Sequence, residues 1–125
     1  MKPELAALVE WLRSSGRMQD VHYGRLLREV THIGERALFM VNSQDDLETL
    51  ATLASAILTV ETHLEAAVVD HDPAALALLL GALIPLARFV GDNPVHLLAA
   101  TGVLTGEDIE DWAREAARRN LPPPA

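Results

Sequence analysis

Apolar residues recur along this chain three and four positions apart, in runs punctuated by capping residues, glycine and proline, which marks amphipathic helices rather than strands. Pro3 opens a first helix on which Leu5, Leu8, Val9 and Leu12 share a face, and Gly16 closes it. Asp20 can cap a second, with Tyr23, Leu27, Val30, Gly34, Ala37 and Val41 in phase and an end near Asn42. Ser43 and Asp46 imitate a capping box that opens a third helix, running to about Val69. Asp72 caps a fourth, ended by Gly91-Asp92-Asn93-Pro94, and a short fifth fits Val95 to Thr101. Thr105, with Asp108 three residues on, caps a sixth through Arg119. No segment alternates with a period of two between hairpin dipeptides, so no strand is expected. The pattern predicts an all-α fold: a single-domain helical bundle over residues 1–120, with about six helices of which three are long and central, and a frayed Pro-rich tail at 121–125.

From Ala74 to Ala87 the fourth helix is apolar all round, and a helix of that kind must be covered on every side. A small chain has few helices with which to cover it. The pattern therefore points to a homodimer with this helix at or near the interface, joined by the uncharged Thr52, Ser55 and Thr59 strip of the third helix. Pro85 implies a kink, with room beside it for an apolar ligand, and Gly81 implies a close approach of another backbone. On the third helix Leu50, Ala54, Ile57, Leu64 and Val68 form a stripe whose missing member is Glu61. That phase predicts a carboxylate at least half buried and paired with a His or an Arg, because burying it alone costs several kcal/mol.

Composition acts mainly by exclusion. Eighteen acidic residues against ten basic ones give a formal charge of −8, which disfavours nucleic acid and anionic membrane as partners and admits a basic protein. The absence of cysteine removes disulfides, thiolate metal sites and cysteine nucleophiles. The apolar run that starts at Pro73 closes at Arg88, short of the ~17–25 residues that cross a bilayer. The opening Met1-Lys2-Pro3-Glu4 leads into Glu10, Trp11 and Arg13 rather than a secretory signal, and a cytoplasmic location is expected. Charge is also uneven along the chain: from Val41 to Ala87 there are seven acids and no Lys or Arg, whereas the first 40 residues carry six basic and five acidic groups.

Candidate chemistry is sparse. Glu29 and His32 have the Glu-x-x-His spacing of carboxylate-bridged di-metal bundles, and Glu61, His63 and Glu65 crowd the neighbouring helix. A second such pair is missing, and Arg25 and Arg36 share the Glu29/His32 face, where they would repel a divalent cation. No metal or cofactor is therefore expected, and no catalytic residue is assigned. The segment from Leu97 to Ile109 has a helix, glycine turn, helix layout, but Glu107, Asp108, Glu110 and Asp111 would meet phosphates with like charge. It reads instead as a corner in which Ile109, Trp112, Ala113 and Ala116 dock on the bundle. No phosphate loop or nucleophile elbow is present. The favoured reading is an acidic helical protein that dimerises and acts by protein–protein interaction, as an adaptor, inhibitor or immunity-type protein would. The alternative is a helical-bundle metalloprotein or small enzyme using Glu29, His32, Glu61 and His63.

Overall fold

The computed structural model of the chain describes residues 3–16, 18 and 23–121; the cap expected at Asp20 and the tail after Leu121 lie outside them. Six helices follow in order: α1 (Pro3–Ser15), α2 (Tyr23–Phe39), α3 (Gln44–Val68), α4 (Pro73–Phe89), α5 (Pro94–Ala100) and α6 (Gly106–Arg118). Among the described residues there is no strand, and the fold is all-α. Local chemistry sets the helix starts. The Asp72 carboxylate accepts the N–H groups of Ala74 and Ala75 at 2.9 and 3.3 Å, and Pro73 takes the first position of α4, where a missing N–H costs nothing. At α6 the box is reciprocal: Thr105 Oγ1 accepts from the Asp108 N–H at 3.1 Å and the Asp108 carboxylate accepts from the Thr105 N–H at 2.8 Å. At α3 the box is offset. Ser43 Oγ accepts from the Asp46 N–H, but the Asp46 carboxylate accepts from Asn42, one residue further back, at 2.8 Å.

Short turns at Met40–Ser43 and Val69–Asp72 fold α2, α3 and α4 back on one another, with α3 against α4 as the main packing layer. Helix α2 lies along α3, α1 packs on α4, and α5 turns through 86° from α4 to carry α6. Trp11 of α1 meets Trp112 of α6 with ring centroids 5.3 Å apart, which closes that end of the bundle.

The all-apolar helix finds its cover inside one chain. Leu76, Leu79, Leu80, Leu83 and Leu86 are fully buried among α1, α3 and α5, and Leu78 is the large side chain of α4 left outside, 49% exposed. The premise that placed α4 at a subunit interface therefore does not hold: one bundle has enough helices when two of them flank a single central one. No single described helix is long and apolar enough to cross a membrane, although α4 and α5 together pass that test across their bend. Gly81, read from sequence as a close-approach position, has nothing within 4 Å of where a Cβ would stand. Gly81→Ala should therefore raise stability by about 0.5–1 kcal/mol through helix propensity alone, read as an upward shift in the urea midpoint; a loss would show that the site is tighter than its geometry.

The C-terminal end of α6 carries an ion-pair cluster. Arg118 and Arg119 both donate to the Glu115 carboxylate, at 2.5 and 2.7 Å, and Arg119 also lies 3.9 Å from Glu10 of α1. These hydrogen bonds hold the Glu115 carboxyl down from 4.5 to about 2. A depressed folded-state value stabilises the fold above the unfolded value and ceases to do so below the folded one. The contribution is thus present above pH 4.5 and is lost as pH falls toward 2. Glu115→Gln should flatten that part of the acid unfolding curve, and an unchanged curve would remove the pair from the account of α6 docking.

Candidate functional site

An extensive open groove lies between α2 and α3. Its origin is a glycine: a Cβ at Gly34 would stand 2.5 Å from Ile57 Cδ1, so the absence of a side chain there lets the two helices close on each other. Around that contact runs a groove of about 450 Å³ lined by Thr31, Gly34, Glu35 and Leu38 of α2 and by Leu50, Ala54, Ile57, Leu58 and Glu61 of α3. Leu38 and Leu58 stand up on either side of it, 61% and 63% exposed, and Leu47 extends the α3 ridge. At the end of α2, Phe39 is 88% exposed and Met40 follows it. Single exposed apolar side chains are ordinary, but a contiguous set along two adjacent helices marks an interaction surface.

The α3 side of this surface carries no charge from Thr49 to Val60. The hydroxyl that lines the groove belongs to α2: Thr31 Oγ1 donates to the Leu27 carbonyl at 2.9 Å, whereas Thr52 faces the groove beside Pro85 on the other side of α3. With its donor satisfied by its own helix, Thr31 costs less to cover than a free hydroxyl would.

Helical phase accounts for the difference from the sequence expectation. Of the expected α3 stripe, Leu64 and Val68 are buried together with Leu53, Ala56, Val60 and Ala67, whereas Leu50 and Ile57 are half buried and Ala54 is exposed. Helix α3 has apolar residues on two adjacent faces, one for α4 and one beside α2, and periodicity does not choose between them. Glu61 belongs to the second face. It is exposed, lines the groove, and makes no ion pair among the described residues, which corrects the expectation of a buried, paired carboxylate. Glu61→Gln should accordingly leave the urea midpoint of the monomer within about 0.5 kcal/mol of the parent, as surface substitutions do, and a larger loss would restore the paired carboxylate. On α2 the same rotation applies: Leu26, Val30, Ile33 and Ala37 are buried, while Tyr23 is exposed and Leu27 and Gly34 are half buried toward α3.

The remaining candidates do not converge. His32 is exposed, with Glu35 3.9 Å away on its own helix, and Glu29 is half buried in a shallow polar pocket with Arg25, Arg28 and Thr101. His63 is half buried one turn or less from Glu61, yet no three His, Asp or Glu side chains among the described residues come close enough to share a metal ion. The structure thus does not assemble the Glu29/His32 and Glu61/His63 cluster. His71 is exposed in the loop before α4, and His96 reaches Asp92 at 3.1 Å beside the α5 cap. Beside Pro85 there is an open groove of about 260 Å³ on the surface of α3 and α4 rather than an enclosed chamber. A second groove of about 280 Å³ separates α5 from α6, lined by Val95, Ile109, Trp112, Ala116 and Leu121. At that corner Trp112 and Ala116 are buried and Ile109 half buried, whereas Ala113 is exposed, against the expectation that all four dock.

Sequence reasoning missed Leu38, Leu47 and Leu58. Once the core phase of α3 is fixed by Leu53, Val60 and Leu64, Leu47 and Leu58 fall outside it, and the run Leu38-Phe39-Met40 is too long for one amphipathic face. No family model, curated protein or solved structure matches the chain.

Proposed function

We propose that this protein works by protein–protein contact, as an adaptor, inhibitor or immunity-type protein does, and that the contact surface is the apolar groove and ridges of α2 and α3. The observation that carries this reading is the exposure of Leu38, Leu47 and Leu58 around a groove whose lining hydroxyl, Thr31, is already bonded within α2. Interface centres are depleted of charge, and between Glu35 and Glu61 this face presents Leu38, Leu50, Ala54, Ile57 and Leu58. The acidic excess of the chain favours a basic protein among outside partners, while the enzyme and metalloprotein reading lacks a converging set of ligands. The expected setting is cytoplasmic, with neither nucleic acid nor membrane as a partner.

Hydroxyl-radical footprinting tests the reading. In a host extract, labelling of Leu38, Leu47 and Leu58 should fall well below that of the purified chain at high dilution, while exposed Leu78 and Val69 keep their reactivity. Equal labelling of all five in both samples would sink it.

A further inference from the structure

We infer that the occupant of the α2–α3 surface is a second copy of this chain, set by a two-fold axis that lays α2 of one protomer over α3 of the other; the inference rests on the contact reading above. A two-fold interface needs a surface complementary to itself. This one has both parts, ridges at Leu38 and Leu58 and a groove floored by Gly34, Ala54 and Ile57. Leu58 of one copy can seat in the groove of the other as a knob enters a hole.

Charge supplies the second argument. The helices run antiparallel, with Gly34 level with Ile57 and Thr31 level with Glu61 along the groove. One further turn brings Arg28 on α2 to the height of Glu65 on α3. Arg28, Glu61 and Glu65 are exposed, Arg28 at the edge of the polar pocket beside Thr101, and none makes an ion pair among the described residues. A two-fold axis parallel to the helix pair preserves height and exchanges α2 with α3. It therefore brings Arg28 against Glu61 and Glu65 of the partner subunit, and does so twice. A foreign partner would have to match an arginine and two carboxylates at one level; a second copy already does. The hydrophobic contact holds the pair together, and the charges fix its register.

Sedimentation of the purified chain over a wide concentration range tests this. The expected mass is twice 13.6 kDa at high micromolar concentration and falls to 13.6 kDa on dilution. Leu58→Glu should abolish the heavier species with helix content unchanged by circular dichroism. Arg28→Glu should raise the dissociation constant by about tenfold, and adding Glu61→Arg and Glu65→Arg should restore it, a rescue that a merely structural role for Arg28 would not give. A mass of 13.6 kDa at every concentration overturns the inference, as does a dimer indifferent to both Leu58→Glu and Arg28→Glu. If the chain is monomeric but its α2–α3 leucines are protected in extract, the contact reading stands with a different protein in the groove. Monomer without protection removes both.

Discussion

Leu83→Ala is expected to destabilise the protein by about 2–5 kcal/mol, whereas Leu78→Ala, the same change five residues earlier on the same helix, should cost less than about 1 kcal/mol. Leu83 has no exposed surface, and its side chain is enclosed by neighbouring helices within the chain. Removing its branched end leaves a cavity that a close-packed interior fills only in part. Leu78 already has half its surface in water. Since a domain of this size is stable by about 5–15 kcal/mol, the larger loss is a sizeable fraction of the whole and will be plain in urea midpoints measured at high dilution. Similar losses at the two positions would mean that α4 is covered from both sides, which is the arrangement expected had α4 been a subunit interface.

Trp112→Ala should cost about 3–5 kcal/mol, and Trp112→Phe much less than half of that. Trp112 is 4% exposed and stacks obliquely on Trp11, so truncation removes the ring that fastens α6 to α1. Its indole N–H, however, is buried without an acceptor among the described residues. A buried donor left unmet costs about 1–3 kcal/mol, so the change to phenylalanine loses ring volume but also relieves that penalty. If Trp112→Phe proves as damaging as Trp112→Ala, the N–H has an acceptor in solution and the corner between α5 and α6 is arranged differently there.

The helices and their ends were readable in the sequence because each rests on chemistry within a few residues. Asp72 before Pro73 and Thr105 with Asp108 are local signals, and nothing distant competes with them. Which face of each helix turns inward was not readable to the same degree. On α3, Leu50, Ala54 and Ile57 are as regular a stripe as Leu53, Ala56 and Val60, and only the placement of α4 decides between them. The error at Glu61 followed from that choice: a carboxylate placed one face too far inward acquires a burial cost and a partner it does not need. The exposed leucines beside the α2–α3 groove were hidden for the same reason. Leu47 and Leu58 look like core residues until the core is known, and the fourth helix, more apolar than either, drew the interface expectation to itself. Its cover came instead from α1 and α5, short elements whose packing on α4 no local pattern announces.

The most direct test of the contact reading compares two exposed leucines, Leu58 on α3 and Leu78 on α4, as sites for a photo-crosslinking amino acid in the living host. The expected result is adducts from position 58 and essentially none from position 78, with Leu38→Glu suppressing those from position 58. Adducts from position 78 alone would contradict it, returning the contact surface to α4.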